Sequence, residues 1–301
     1  MGGTTDIDLV FVHKGKIPFR REVIFLSPEI HLDIKHNPIS EYDKPRDLRM
    51  NPWLGPELWD PMLLFEKEHF FEFIQAVVRD KFFETVNVIA RARKNLDHAR
   101  QIWRGLQLPQ VKGPALILSY LKSLNHAANA VAIMNGPVLA ERRYLLQLPA
   151  CCEAVGKPAF FDQLIALLGS SQASSKSMTT ALPHWSESFI AAGDRTKADA
   201  RLHPARLNYY KCAMEAMLES GNPHALLWPL LCTWTLAVSV LPKARCAAWE
   251  AAIKDLGLSG NLFKEHLENL DHLLDGIEML LDDTASAQGL GATYQDGRKV
   301  D

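Results

Sequence analysis

The sequence predicts an α+β fold, with a small mixed sheet at the N-terminus followed by a large all-α helical bundle. Within residues 5–36, apolar and polar residues alternate in short runs, which is the period of half-buried strands. From residue 62 onward, apolar residues recur with the helical period, and prolines and glycines mark the ends of segments. We therefore expect an α/β domain over 1–60, an all-helical domain over 61–283 and a disordered tail over 284–301.

Three strands are predicted near the N-terminus, over residues 5–12, 21–26 and 29–36, although their pairing is not evident from the sequence. Residues 37–61 are rich in proline, aspartate and glycine and predict a long ordered loop. One or two helices are expected over 62–103. The further helices are predicted over 113–136, 137–156, 158–169, 178–193, 204–220, 223–241, 244–256 and 260–282.

Composition narrows the classes of function. The net charge is −2, without a basic half, so bulk electrostatic binding to long nucleic acid is not expected. Five cysteines without C-x-x-C spacing indicate neither a zinc site nor a disulfide framework and fit a reducing cytoplasm. Residues 225–242 approach the minimum length of a membrane span, but Pro229 and three hydroxyl residues favour a buried core helix. We expect a cytoplasmic protein that does not act at a membrane.

Three acids stand out in the predicted strands. Asp6 and Asp8 lie two residues apart and so point to one face of a strand, about 7 Å apart. Asp33 sits inside the apolar alternation "IHLDIKH" of another strand. Aspartate is unfavourable in a strand, and its burial is costly without a partner. Carboxylates arranged in this way can hold Mg²⁺; the alternative is that Asp6 and Asp8 are solvent-facing residues at a strand end.

The stretch "GGTTDIDLVFV", followed by "IHLDIKH", resembles the DNA polymerase β-like nucleotidyltransferase superfamily, which includes aminoglycoside, lincosamide and minimal nucleotidyltransferases. The resemblance implies that Asp6, Asp8 and Asp33 ligate two Mg²⁺ ions and that Asp33 also helps to deprotonate the attacking hydroxyl. Gly3 and the threonines Thr4 and Thr5 stand where the family has the small and hydroxyl residues that precede the acid pair, which implies nucleotide binding.

The same resemblance implies transfer of a nucleoside monophosphate from an NTP to a hydroxyl of a small molecule, or of a protein side chain, bound between the domains. The family's upstream Gly-Ser segment has no counterpart before Asp6. Either Met1 is internal to a longer protein, or the chain is an inactive member that binds a partner through its helical domain. A third alternative is an unrelated helical protein in which the Asp-x-Asp pair is a coincidence. The sequence does not predict the oligomeric state.

The helix predicted over 113–136 carries a polar stripe of Asn125, His126 and Asn129 among apolar residues. Buried polar groups must be hydrogen-bonded, either within the protein or to a ligand. The stripe is therefore a candidate acceptor pocket, and internal hydrogen bonding is the alternative.

Two further pairs of residues each allow two interpretations. Glu66 and His69 lie three residues apart on a predicted helix, so they are either an acid/base pair at the domain junction or a solvated helical face. Arg142 and Arg143 are either phosphate ligands or solvated residues of a helix.

Overall fold

The computed structural model describes residues 2–17, 19–108, 111–193, 195 and 199–290. It confirms the α+β class, with a three-stranded mixed sheet followed by a helical region. The strands are β1 (Thr5–His13), β2 (Arg21–Phe25) and β3 (Ile30–Pro38). β3 is central in the described sheet; it runs parallel to β1 and antiparallel to β2.

The register of β1 against β3 sets the acidic face of the sheet. Asp8 lies directly opposite Asp33, and Asp6 lies opposite His31. Val23 of β2 is the partner of Asp33 on its other side. Because partners in register point to the same side of a sheet, these residues share one face.

The opposite face of the sheet is largely apolar, and part of it is open to solvent. Ile7, Phe11 and Ile24 are 44%, 45% and 41% exposed, and Ile30 is 36% exposed. Contiguous apolar surface of this kind is typical of a face that packs against another element. Ile34, the partner of Leu9 in the register, lies on the same face but is 3% exposed, so the exposure is confined to part of the face.

The prediction of a loop over 37–61 is wrong, because the segment contains two short helices. These are α1 (Pro45–Leu48) and α2 (Leu54–Trp59), preceded by a 3-10 turn over Ile39–Tyr42. The Asn51 side chain accepts hydrogen bonds of 2.9 Å from the backbone amides of Trp53 and Leu54, at the start of α2. Proline and asparagine therefore mark helix starts here rather than a loop.

The segment 62–103 forms two helices, α3 (Phe70–Asp80) and α4 (Thr85–Leu106), and residues 62–69 are not helical. The remaining helices are α5 (Pro114–Ala132), α6 (Tyr144–Ala154), α7 (Ala159–Leu167), α8 (Ser175–Gly193), α9 (Leu207–Glu219), α10 (Leu227–Ser239), α11 (Ala247–Asp255) and α12 (Gly260–Ala287). The tail predicted from residue 284 needs correction, because α12 continues to Ala287; residues 291–301 lie outside the described residues.

The core of the helical region surrounds α10, which contains most of the apolar stretch 225–242. Three buried tryptophans hydrogen-bond to nearby hydroxyl groups: Trp185 to Thr233 (2.8 Å), Trp234 to Ser188 (3.1 Å) and Trp249 to Thr235 (3.1 Å). The stretch is thus a core helix, as its hydroxyl residues predict. Across the part of the chain that the structure describes, every helix is too short or too polar to cross a membrane.

The start of β1 is fixed to the helical region by Arg142, which is only 8% exposed. Its Nη1 donates to the backbone oxygen (3.0 Å) and the hydroxyl (2.9 Å) of Thr4 and to the backbone oxygen of Tyr209 (3.3 Å). Gly2 has a φ of +59°, and a Cβ at this position would lie 2.4 Å from the carbonyl oxygen of Cys212. The interpretation of Arg142 as solvated is therefore wrong, whereas Arg143 is exposed.

We expect Arg142→Ala to lower the free energy of unfolding by about 2–3 kcal/mol, because it removes the buried hydrogen bonds to Thr4 and Tyr209 and the packing of the guanidinium on the Tyr209 ring. Urea denaturation followed by tryptophan fluorescence measures this change. The matched control is Arg143→Ala, in the neighbouring exposed arginine, which should lie within about 0.5 kcal/mol of the unmodified protein. Equal effects of the two substitutions would contradict the role assigned to Arg142.

Candidate metal centre

The three acids singled out in the sequence come together in the structure. Asp6, Asp8 and Asp33 each offer a carboxylate oxygen, and these oxygens lie within 4.8 Å of one another. The i, i+2 spacing places Asp6 and Asp8 on one face of β1, and the parallel register brings Asp33 beside them. Asp33 is 3% exposed, whereas Asp8 is open to solvent. The cluster thus lies at the boundary between the protein interior and water.

Partial burial and a like charge raise the proton affinity of Asp8. The pKa of the Asp8 carboxyl is raised above its ordinary value of 3.8, first by partial removal from water and then by the charge of Asp6. The pKa of the Tyr209 hydroxyl is also raised, first by burial and then by the Asp6 carboxylate. A cation held among the acids would reverse the effect on Asp8, since it favours the ionised form.

Two arginines that the sequence analysis missed neutralise Asp33. Arg21 of β2 donates from Nε to Oδ1 (2.6 Å) and from Nη2 to Oδ2 (2.5 Å) of Asp33. Arg206, in a 3-10 turn just before α9, contacts the same Oδ2. Antiparallel pairing of Val23 with Asp33 places Arg21 diagonally across from Asp33 on one face, so correct strand pairing would have identified Arg21. No local signal in the sequence identifies Arg206.

His31 supplies a further polar group on the acidic face. It is 1% exposed, lies opposite Asp6 in the register, and its ring packs edge-on against Tyr209 with centroids 5.0 Å apart. Burial lowers the pKa of His31 to about 4, so the imidazole is neutral at pH 7. Its Nε2 is buried and makes no hydrogen bond to the residues that the structure describes. A buried polar atom of this kind calls for a partner.

The donor set fits a divalent cation. Carboxylate oxygens are the ligands that Mg²⁺ prefers, and three of them converge here. The formal charge of the three acids is −3, of which Arg21 and Arg206 balance two units. Negative charge therefore remains at Asp6 and Asp8. The charge of Asp6 is one of the causes of the raised pKa of Asp8. The residues that could hold a metal are Asp6, Asp8 and Asp33.

The three residues predicted to bind nucleotide lie just before the acid pair, and one of them, Thr4, also has a structural role. The hydroxyl of Thr4 is buried and accepts a hydrogen bond from Arg142. The hydroxyl of Thr5 lies 3.2 Å from the backbone oxygen of Asp6, and Gly3 is exposed with a φ of +69°. Thr4 thus anchors β1, and nucleotide binding stays a prediction for Gly3, Thr4 and Thr5.

The polar stripe on α5 makes hydrogen bonds within the protein. Asn129 donates from Nδ2 to the backbone oxygen of Asn125 (2.9 Å) and accepts from the Leu139 amide at 2.8 Å. His126 lies 3.2 Å from Oδ1 of Asn95, and burial lowers the pKa of His126 to about 4. Asn129 therefore has the structural role that the alternative hypothesis gave it, and binding of an acceptor here stays a prediction.

Glu66 and His69 do not lie on one helix, so that part of the prediction is wrong. His69 precedes α3 and adopts a left-handed conformation with a φ of +51°. The Glu66 carboxylate accepts hydrogen bonds from the backbone amides of Phe71 (2.6 Å) and Glu72 (3.2 Å). Glu66, His69 and Glu72 do converge to within 4.8 Å, but Glu66 is engaged as a cap of α3.

The raised pKa of Asp8 predicts that Asp8→Asn stabilises the metal-free protein. The folded chain holds the Asp8 proton more tightly than the unfolded chain, so ionisation of Asp8 destabilises the fold as the pH rises above 3.8. At pH 7 the amide removes this penalty, and we expect Tm to rise by roughly 1–2 °C.

Differential scanning calorimetry in chelator measures the effect of Asp8→Asn on Tm. The matched control is Asp283→Asn, on the exposed surface of α12, which should leave Tm unchanged. A Tm for Asp8→Asn below that of the unmodified protein would show that the carboxylate stabilises the fold by itself.

Comparisons with known proteins give no match for this chain: no family model, curated protein or solved structure matches it. The chemistry of the site therefore has to be inferred from its own geometry. That geometry consists of three convergent carboxylates, two arginines bound to one of them and a neutral, unpartnered imidazole among the described residues.

Proposed function

We propose that this protein is a nucleotidyltransferase that depends on a divalent metal, with Mg²⁺ as the expected ion, and that resembles the DNA polymerase β-like superfamily. It would transfer a nucleoside monophosphate from an NTP to a hydroxyl of a small molecule or of a protein side chain: the hydroxyl oxygen attacks the α-phosphate, and the bond to pyrophosphate, the leaving group, breaks. One observation carries the proposal: parallel pairing of β1 and β3 brings the carboxylates of Asp6, Asp8 and Asp33 within 4.8 Å of one another. The quoted motif supports it independently of the geometry.

In this mechanism the three acids have different chemical roles, which follow from their surroundings. Asp6, Asp8 and Asp33 would hold the metal. When bound, the metal supplies positive charge to the phosphates and lowers the pKa of the attacking hydroxyl. Both oxygens of Asp33 already accept hydrogen bonds from guanidinium groups, so Asp33 is poorly placed to take a proton. We therefore assign proton acceptance to Asp8, which is open to solvent, whereas Asp33 is buried.

The helical region contributes to the same site. Tyr209 of α9 packs against His31, and Arg206, just before α9, contacts Asp33. A substrate bound at the acids would therefore meet side chains from both the sheet and the helices. This placement supports an acceptor held between the two, and the modest net charge supports a small acceptor rather than long nucleic acid.

A second candidate function is a binding protein with an inactive nucleotidyltransferase-like sheet. The observation that favours it is the pairing of Asp33 with Arg21 and Arg206, because internal cations then occupy a carboxylate that catalysis requires. Under this proposal the arginines are permanent counter-ions, and the helical region carries the interaction with a partner.

We expect ATP or GTP to bind in the presence of Mg²⁺, and we expect Asp6→Asn/Asp8→Asn to weaken this binding at least about 100-fold, since two metal ligands are lost. Isothermal titration calorimetry measures both affinities. Asp283→Asn serves as the control for charge alone and should bind as the unmodified protein does.

Two results would decide between the candidate functions. Nucleotide binding that requires both the metal and the acid pair supports the transferase. Absence of metal-dependent binding in the unmodified protein contradicts the transferase and favours the binding protein.

A further inference from the structure

We propose that Arg21 binds the triphosphate of the substrate and that, until the substrate arrives, it occupies Asp33 as a counter-ion. Metal and triphosphate would then bind to this site together, each strengthening the other. This inference rests on the proposed function, and it adds a phosphate-binding residue that belongs neither to the acid motif nor to the segment before it.

The two oxygens of Asp33 have different sets of partners. Arg21 donates to both of them, through Nε to Oδ1 (2.6 Å) and through Nη2 to Oδ2 (2.5 Å). Arg206 contacts Oδ2. Departure of Arg21 would therefore free Oδ1 for a metal, while Arg206 would keep Oδ2 and hold the carboxylate in place.

The two arginines at Asp33 differ in their exposure to solvent. The Arg21 side chain is 43% exposed and belongs to β2, an outer strand of the described sheet. The Arg206 side chain is 4% exposed and lies 3.4 Å from the hydroxyl of Tyr210. Arg21 can exchange its carboxylate for another anion at the surface without burying its charge, whereas Arg206 would leave a buried charge without a partner.

Arg21 and a metal ion compete electrostatically for Asp33. A guanidinium bound to Asp33 opposes a metal cation at the same carboxylate. A triphosphate offers Arg21 a bidentate anion in exchange, since guanidinium matches phosphate geometry as well as carboxylate geometry. If the triphosphate favours metal binding by removing Arg21, the metal must favour triphosphate binding by the same factor.

Independently of the arginines, the acidic face contains a buried polar atom that lacks a hydrogen-bond partner among the described residues. His31 is 1% exposed, and its Nε2 makes no hydrogen bond to the described residues. The ring lies opposite Asp6 in the register and therefore on the face that carries the acids. A ligand bound at this face would give Nε2 of His31 the hydrogen-bond partner that it lacks among the described residues.

The experiment uses Mn²⁺ as the metal probe and inorganic tripolyphosphate as the phosphate probe, so that it does not depend on the preferred base. Binding of Mn²⁺ alone is followed by electron paramagnetic resonance of the free ion. Binding of tripolyphosphate in the presence of Mn²⁺ is followed by calorimetry. The proteins are the full chain, Arg21→Ala, Arg21→Lys and Arg20→Ala. Arg20 is the matched control, because it is the exposed neighbouring arginine and pairs with Glu41 at 2.7 Å.

We expect Arg21→Ala to bind Mn²⁺ alone about tenfold more tightly than the unmodified chain, since a charged hydrogen-bonding competitor is gone. The same variant should bind tripolyphosphate about tenfold more weakly. Arg21→Lys retains the charge without the bidentate geometry, so both of its affinities should lie between those of the unmodified chain and those of Arg21→Ala. Arg20→Ala should match the unmodified chain in both measurements.

Each other outcome has a definite meaning. An Arg21→Ala affinity for Mn²⁺ equal to that of the unmodified chain overturns the counter-ion role, and an unchanged tripolyphosphate affinity overturns the phosphate role. A third outcome is that Arg21→Ala binds Mn²⁺ more tightly but that no variant binds tripolyphosphate. This outcome supports the counter-ion role of Arg21 and overturns both its phosphate role and the transferase. Absence of Mn²⁺ binding in all four proteins overturns the metal centre and this inference with it. Arg21→Lys keeps the comparison valid if Arg21→Ala fails to fold.

Discussion

The candidate site depends on the parallel pairing of β1 with β3. This pairing places Asp8 opposite Asp33 and so converts acids 25 residues apart in the chain into close neighbours. A slip of one residue would send the side chains of one strand to the opposite face and separate the carboxylates. The pairing also brings like charges together, which is unfavourable unless cations lie nearby. Arg21 and Arg206 provide that balance at Asp33.

The helical region completes a sheet that is too small to be stable alone. Three strands need a partner that covers a face. Helix α9 and the turn before it supply Arg206 and Tyr209 to the acidic face, while Arg142 fixes the start of β1 through Thr4. The same contacts that stabilise the sheet therefore set the electrostatic environment of the acids. On the opposite face Phe11 is 45% exposed, although Ile34 is buried there.

Local patterns predicted the strands, most of the helices and the acid pair, because strand and helix periods are properties of short stretches. Asp33 could be predicted because an aspartate within an apolar alternation is unusual. The two helices within 37–61 were missed because proline and asparagine mark helix starts as well as loops. Arg142 and Arg206 could not be predicted, since they meet Thr4 and Asp33 across long stretches of chain. Contacts of this kind depend on the packing of whole elements.

The two candidate functions differ in one physical quantity, the preference of Oδ1 of Asp33 for Arg21 or for a metal. Arg21 and Arg206 attract the Asp8 carboxylate, but partial burial and the charge of Asp6 outweigh this attraction. Asp8 is the informative residue, because its raised pKa means that the fold holds its negative charge at a cost. A site that keeps an unfavourable charge beside a buried, unpartnered imidazole is better explained by a cationic ligand than by stability alone. For this reason we favour the transferase, in which the arginines at Asp33 would be the counter-ions of the site before its ligands bind.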